Sequence, residues 1–254
     1  MPDPLFDLSG KVALVTGGSK GLGKAMARAL AGAGADIIIS SRHENELKPA
    51  LDEILKGTKA KGRYVVADLT RRSEAARVAH ASLDLMGRVD ILVNNAGTNK
   101  PQAIDAITDE TWDQIVEINL SSVMALTRAL APQMKERRWG RIIHIASVMA
   151  FASKEMRNVY SATKSALLGL ARASALDLGP FGITVNCIAP GPFLTDLPAS
   201  ILSDEEKRAF ADRTALGRWG RPDELMGPVL LLASNAGAYI TGTAMVVDGG
   251  YLAR

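Results

Sequence analysis

The sequence has few of the residues that covalent cross-links and metal sites require. Cys187 is the only cysteine among its 254 residues, so no disulfide can form within the chain and a reducing compartment suits it. The three histidines are His43, His80 and His144, and their wide separation does not match zinc-ligand spacing. We therefore expect no bound metal and a cytoplasmic location, with Cys187 a core residue.

Long apolar runs and a large excess of one charge are also missing. The most apolar late segment, residues 229–233, is far shorter than a membrane span, and the N-terminus lacks the basic and apolar regions of a secretory signal. The net charge is only +3, and a small anionic ligand accounts for it as well as nucleic acid would. Since basic and aromatic residues form no joint patch, we expect neither a nucleic-acid nor a membrane partner.

What the chain does have is a regular alternation of apolar and helical segments. The predicted strands cover residues 11–16, 35–40, 62–67, 89–94, 140–146, 182–188 and 243–247. The predicted helices lie near residues 22–32, 44–56, 71–87, 108–137, 158–178 and 222–235. This alternation is typical of an α/β fold, a doubly wound parallel sheet with helices on both faces. No Gly/Ser/Pro-rich linker divides the chain, so we predict a single Rossmann-like domain over residues 1–254.

A glycine-rich stretch follows the first predicted strand. Residues 17–23 read Gly-Gly-Ser-Lys-Gly-Leu-Gly and open the next predicted helix. Glycines let backbone amides approach a pyrophosphate, and a helix N-terminus favours an anion. The spacing differs from the common G-x-G-x-x-G fingerprint, and a tight turn without a ligand is the alternative. The strand–loop–helix context nevertheless predicts a nucleotide site.

Tyr160 and Lys164 lie one helical turn apart, and Ser147 is thirteen residues upstream of the tyrosine. The first two side chains therefore share a helix face. A phenol has a free pKa of about 10. A neighbouring cation favours the phenolate and lowers that pKa, as acid–base work near neutral pH requires. We predict that Tyr160 is an acid–base group whose pKa Lys164 lowers.

Together these motifs resemble the classical short-chain dehydrogenase/reductase family. The matches follow the family's order and cover nearly the whole chain. They are residues 16–23, Asp68, residues 94–97, Asn119, Ser147, Tyr160, Lys164 and residues 190–191. The resemblance implies hydride transfer between a nicotinamide and the ketone or secondary alcohol of a small-molecule substrate.

The resemblance also implies a catalytic set of Asn119, Ser147, Tyr160 and Lys164. Tyr160 would exchange a proton with the substrate oxygen, and Ser147 would hydrogen-bond the developing alkoxide. Lys164 would also bond the nicotinamide ribose. Asn119 would hold a local kink in its predicted helix and a water that relays protons past Lys164. Taken alone, Ser147 would be a turn serine and Asn119 a tolerated polar residue in a helix. The presence of the full set favours a catalytic role for both.

Cofactor contacts implied by the resemblance come from several segments. Asp68 would accept a hydrogen bond from the adenine amino group, with a helix N-cap as its alternative role. The full set is Gly17, Ser19, Lys20, Gly21, Leu22, Gly23, Arg42, Asp68, Leu69, Asn95, Ala96, Gly97, Tyr160, Lys164, Pro190, Gly191 and Thr195.

The end of the second predicted strand favours NADP(H) over NAD(H). An acid there normally bonds the ribose 2′-hydroxyl and repels a 2′-phosphate, but no acid stands at that place. Arg42 offers a planar donor fork suited to phosphate, and Lys20 offers a second cation. The alternative is that Arg42 is solvated and that Glu44 or Glu46 serves the ribose.

The substrate is less closely defined. Residues 217–224 resemble the matching segment of gluconate 5-dehydrogenases, and Lys154 or Arg157 would suit a substrate carboxylate, although a solvated charge is commoner. These features favour a small polar keto acid or sugar acid.

The central region is equally similar to 3-oxoacyl-[acyl-carrier-protein] reductases. Arg137 and Arg138 would suit an acidic carrier protein, but Leu176 stands where such reductases commonly place a basic residue. A non-catalytic NADP(H)-sensing protein with the same fold is an alternative of another class.

Residues 192–220 are predicted to form a substrate lid. Ser203 and Glu206 have the spacing of a capping box, which opens a short helix, and an insertion at this edge of a parallel sheet is placed to cover a ligand. A rigid pair of surface helices is the alternative. The family resemblance further implies a homotetramer or homodimer.

Overall fold

Seven parallel strands of the described residues, 4–195 and 203–253, form one sheet in the computed structural model. They are β1 (Val12–Thr16), β2 (Asp36–Ser41), β3 (Gly62–Val66), β4 (Ile91–Asn94), β5 (Gly140–Ile145), β6 (Ile183–Pro190) and β7 (Ala244–Val247). Their order across the sheet is β3-β2-β1-β4-β5-β6-β7. The predicted doubly wound parallel sheet is confirmed.

Helices cover both faces of this sheet. They are α1 (Gly21–Gly32), α2 (Glu44–Leu55), α3 (Arg72–Met86), α4 (Asp109–Val116), α5 (Ser122–Arg137), α6 (Asn158–Leu178), α7 (Asp204–Asp212) and α8 (Met226–Ala233). Leu14 packs in the core beneath α3, α5 and α6, whereas its neighbour Val15 packs in the core beneath α1, α2 and α8. Successive strand residues point to opposite faces, so a strand covered on both sides must be apolar throughout.

The predicted helix over residues 108–137 is interrupted. A π-helical turn at Glu117–Ser121 separates α4 from α5. Asn119, where the family resemblance implied a kink, lies in this turn. Short π turns of this kind occur frequently at functional sites.

The strand order reverses between β1 and β4. Ligands of such sheets bind in the crevice at the carboxyl ends of the strands, where the order switches. Thr16 and Asn94 end these two strands, and the glycine loop follows Thr16 directly. The fold thus brings the predicted nucleotide loop to the expected crevice.

The predicted lid is tied at its base. Leu194 N donates to Gly220 O at 2.9 Å, and Gly220 N donates to Pro192 O at 2.9 Å. Within it, α7 begins at the predicted capping box of Ser203 and Glu206. Residues 196–202 of the predicted lid lie outside the described residues. Among the helices that are described, none is both long and apolar enough to span a membrane.

Candidate active site

The glycine loop closes tightly on itself where β1 meets α1. Gly17 has a φ of +64°, a conformation that side chains with a Cβ rarely adopt. A Cβ on Gly23 would clash with the carbonyl oxygen of Gly17. The two glycines therefore permit a turn that exposes the start of α1.

Asn95 holds this turn from the neighbouring strand. Its Nδ2 donates to the carbonyl oxygens of Thr16 and Gly17, at 2.8 and 3.1 Å. The Thr16 hydroxyl in turn accepts from the backbone amides of Asn95 and Ala96, each at 3.0 Å. Asn95 thus positions the loop as well as lining the space beside it.

A cavity of about 380 Å³ lies against the loop. Lys20 and Arg42 stand on its wall, so it is suited to an anion. The predicted cofactor residues that line it are Gly17, Ser19, Lys20, Gly21, Leu22, Gly23, Arg42, Leu69, Asn95, Ala96, Gly97, Gly191 and Thr195.

Asp68 differs from its neighbours Ala67 and Leu69, which line the cavity. Its carboxylate accepts from the backbone amide and hydroxyl of Thr70, at 3.1 and 2.9 Å. The alternative N-cap role does not apply, because Arg71 occupies the N-cap position of α3.

Tyr160 and Lys164 lie on one face of α6. Lys164 Nζ is 5.6 Å from the centroid of the Tyr160 ring and donates to the carbonyl oxygen of Ile145 at 2.6 Å. Lys164 is 5% exposed. A buried ammonium group therefore stands beneath the phenol.

The pKa values of this pair depart from the sequence prediction. Burial raises the pKa of Tyr160, while a hydrogen bond with Ser147 and the charge of Arg157 lower it. Burial lowers the pKa of Lys164 to about 8. Because burial is the largest of these effects, the pKa of Tyr160 is raised above its ordinary value, and a lowering of this pKa by Lys164 stays a prediction.

Ser147 lies just beyond the end of β5. Its hydroxyl caps a short turn by accepting from Met149 N at 3.1 Å. The serine therefore has the turn role that its position alone suggested, and it lines the same cavity as Tyr160, as the catalytic set requires.

Asn119 lies in the π turn and is held from two sides. Its Nδ2 donates to Thr98 O at 2.9 Å and to Thr163 Oγ1 at 3.1 Å, while its Oδ1 accepts from Thr98 N at 2.8 Å. A Cβ on Gly97 would lie 3.1 Å from this Oδ1 and 3.5 Å from Lys164 Nζ. The amide and the ammonium therefore border one small space, which a side chain at position 97 would enter.

Two buried groups behind the site are uncharged near neutral pH. Burial and the nearby Lys164 lower the pKa of His144 to about 3, and its Nδ1 lies 3.1 Å from Asn94 Nδ2. Burial raises the pKa of the Cys187 thiol to about 12, and the thiol donates to Leu167 O at 3.5 Å. Cys187 is therefore a core residue, as expected, and not an activated nucleophile.

A second cavity, of about 630 Å³, contains Ser147, Tyr160 and Lys164 in its wall. Pro190 and Asn99 also line it. It shares Leu22, Asn95, Gly97 and Gly191 with the cavity beside the glycine loop. The predicted nucleotide loop and the predicted acid–base groups thus border adjoining spaces.

Cations and aromatic rings form the outer wall of this cavity. Lys154 Nζ lies 4.5 Å from the Phe210 ring centroid, and that ring lies 5.2 Å from the Trp219 ring. Burial and the charges of Arg157 and Arg213 lower the pKa of Lys154. The sequence interpretation missed both aromatic residues. The apolar side chain of Phe210 in an otherwise polar helix was the signal available.

Comparison with known proteins gives matches over almost the full chain. Residues 17–252 match a family described as enoyl-(acyl carrier protein) reductase. The L-rhamnose 1-dehydrogenase (NADP(+)) of Thermoplasma acidophilum is 38% identical, with 98% of each chain covered. The 3-oxoacyl-[acyl-carrier-protein] reductase FabG of Aquifex aeolicus is 35% identical, with 96% of this chain and 98% of that protein covered.

A solved structure shows the same similarity in three dimensions. It is a gluconate 5-dehydrogenase from Burkholderia cenocepacia in complex with NADP and tartrate. Its TM-score is 0.91 at 33% identity, with 99% of this chain and 98% of that chain covered.

Proposed function

Because the chain belongs to the short-chain dehydrogenase/reductase family, we propose that it is an NADP(H)-dependent oxidoreductase of a small polar keto acid or sugar acid. Its general activity is that of the family, the interconversion of a ketone and an alcohol. The observation that carries the proposal is the shared wall of the two cavities, which brings the glycine loop beside Ser147 and Tyr160.

The residues present suit a dinucleotide. The glycine loop has no room for Cβ atoms at Gly17 and Gly23, so its backbone faces the cavity directly. The wall of this cavity carries two cations, Lys20 and Arg42. When bound, the nicotinamide supplies or accepts a hydride. Lys20 and Arg42 would hold a 2′-phosphate, and Gly191 and Thr195 would border the carboxamide side. The similar proteins named with NADP support this choice of cofactor.

Tyr160 would carry the proton. Burial raises the pKa of its hydroxyl, so the phenol remains protonated near neutral pH and is ready to donate to a carbonyl oxygen. Ser147, on the same cavity wall, would hydrogen-bond the substrate oxygen and stabilise the charge that develops there. Asn119 and Lys164, on the far side of Gly97, would return a proton to the phenol by way of bound water.

An acidic substrate is supported by the charges at the cavity mouth. Lys154 and Arg157 line the cavity, and the charge of Arg157, after burial, is a cause that lowers the pKa of Lys154. Glu155 and Glu206 offset part of this repulsion, but Glu206 is already engaged in the capping box with Ser203. A substrate carboxylate would relieve the rest.

The carrier-protein alternative has weaker support within the chain. Arg137 donates to Val89 O, before the start of β4, and Arg138 donates to Pro180 O at 3.0 Å. Both arginines therefore lie at the amino-terminal edge of the sheet, opposite the crevice. Leu176, at the position where a basic residue was sought, is 81% exposed.

A spectrophotometric panel tests the proposal. NADPH and NADH are each offered with keto acids, keto sugars, diketones and 3-oxoacyl thioesters. We expect NADPH oxidation with keto acids or keto sugar acids. Turnover restricted to thioesters would support a 3-oxoacyl reductase instead. Tight NADPH binding without turnover across the panel would support the sensing protein.

We also propose self-association and closure of the lid. Met124 and Leu170 line a further cavity on the outer surface of α5 and α6, where a second copy would pack. Light scattering that shows only monomer would contradict a dimer or tetramer.

Slower hydrogen exchange in α7 on cofactor binding would support closure of the lid, and unchanged exchange would favour a rigid surface helix. The cytoplasm remains the proposed location.

A further inference from the structure

Glu46, in the first turn of α2, reaches across to the glycine loop. Its Oε1 accepts from Lys20 Nζ at 3.0 Å, and its Oε2 accepts from the Ser19 hydroxyl at 3.1 Å. The Ser19 hydroxyl also lies 3.2 Å from that of Ser41, at the end of β2. One carboxylate thus engages two polar groups of the loop.

These contacts hold the carboxylate in its charged form. The hydrogen bonds from Lys20 and Ser19 and the charges of Lys20 and His43 lower the pKa of Glu46. The Glu46 side chain is 32% exposed and that of Lys20 is 60% exposed. Solvent therefore weakens the attraction between the two charges. Glu46 therefore places a full negative charge beside the loop near neutral pH.

The two loop groups that Glu46 engages also line the cavity beside the loop. Ser19, Lys20, Ser41 and Arg42 stand together on its wall. A 2′-phosphate bound by Lys20 and Arg42 would have to take Lys20 from Glu46 or share it with a like charge. A free ribose hydroxyl brings no such charge.

We propose that Glu46 is a cofactor-selectivity residue, which competes with the 2′-phosphate for Lys20 and Ser19 and so limits the preference for NADP(H). The inference rests on the proposed function only for the place where the 2′-phosphate binds. It separates the roles of the two cations: Arg42, which follows β2, is available to the phosphate, whereas Lys20 in the glycine loop must first be released by Glu46.

The chain offers a matched control. Lys24 Nζ and Glu53 Oε2 form an ion pair of 2.8 Å between α1 and α2. Glu53 is 65% exposed at its side chain and lines a different cavity. The change Glu53→Gln therefore removes the same charge from α2 and another lysine–glutamate pair without touching the loop.

The test is a pair of binding titrations, with NADPH and with NADH, on the wild-type chain, Glu46→Gln and Glu53→Gln. We expect Glu46→Gln to tighten NADPH binding by about fivefold, the scale of one partly exposed ion pair, and to leave NADH within about twofold. Glu53→Gln should leave both within about twofold. High salt should reduce the gain, because the competing charges are then screened.

Three results would overturn the inference. All three concern Glu46→Gln: its NADPH affinity is unchanged, its NADPH affinity is weaker, or its NADH affinity is lost while NADPH binding does not tighten. The last would mean that Glu46 bonds the ribose hydroxyls. The wild-type ratio of the two dissociation constants tests the proposed cofactor separately, so each proposal can fail without the other.

Discussion

Lys164 donates from its ammonium group to the carbonyl oxygen of Ile145 at 2.6 Å. This bond ties α6, which carries Tyr160, to the end of β5, beyond which the chain leads to Ser147. The relative position of Ser147 and Tyr160 on the cavity wall is therefore fixed by a buried ammonium group as well as by the packing of helix on sheet. Lys164 has a positioning role in addition to any contact with the cofactor.

Replacement of Lys164 by methionine should change the dependence of stability on pH. The pKa of Lys164 falls from 10.5 to about 8 on folding, so between these values the unfolded chain binds more protons and stability rises with pH. The free energy of unfolding should rise by about 3 kcal/mol over this range, since one pKa unit corresponds to about 1.4 kcal/mol. This rise is measured by comparing denaturation curves of the wild-type chain and Lys164→Met at several pH values. A difference that is flat with pH would contradict the buried charged state.

Alanine at position 97 should impair turnover more than folding. Its Cβ would lie 3.1 Å from Asn119 Oδ1 and 3.5 Å from Lys164 Nζ, in the space that they border. We expect kcat/KM to fall by about tenfold or more, as for small misplacements in other active sites. Gly169→Ala, on α6, is the control: its Cβ meets nothing within 4 Å, and it should stabilise the helix by about 0.5–1 kcal/mol. Equal activity in the two variants would exclude a catalytic role for this space.

Leucine in place of Asn119 should destabilise the chain and reduce activity together. The change leaves the amide and carbonyl of the half-buried Thr98 without their partner; an unsatisfied group costs about 1–3 kcal/mol when fully buried, so each should cost no more than this. Thermal unfolding and steady-state kinetics measure the two effects. Full activity in the folded variant would show that the π turn serves the structure alone.

Methionine in place of Lys154 should discriminate among substrates. We expect KM for keto acids to rise by about tenfold, the scale of a lost charge-assisted contact, while KM for uncharged ketones stays within about twofold. Lys11→Met is the matched control, because Lys11 also lies over a ring, 4.0 Å from the Trp139 centroid, but just before β1 and away from the site. A uniform loss with both substrate classes would contradict a carboxylate-binding role.

The sheet could be predicted because each inner strand is covered on both faces and therefore reads as an apolar run. The glycine loop could be predicted because its backbone conformation restricts the residue types at Gly17 and Gly23. The family resemblance implied a kink at Asn119, which lies in the π turn, but the bonds of Asn119 to Thr98 and Thr163 join distant segments and could not be read from the sequence. The same holds for the pairing of Glu46 with Lys20, which joins α2 to the loop.

The most direct test of the proposed chemistry is Tyr160→Phe, measured for NADPH binding and for single-turnover reduction of an accepted substrate. We expect NADPH affinity to remain within about threefold and turnover to fall by at least about 10²-fold, because the proton donor is lost while the cavity keeps its shape. Turnover close to the wild-type rate would contradict the assignment of Tyr160 as the acid–base group.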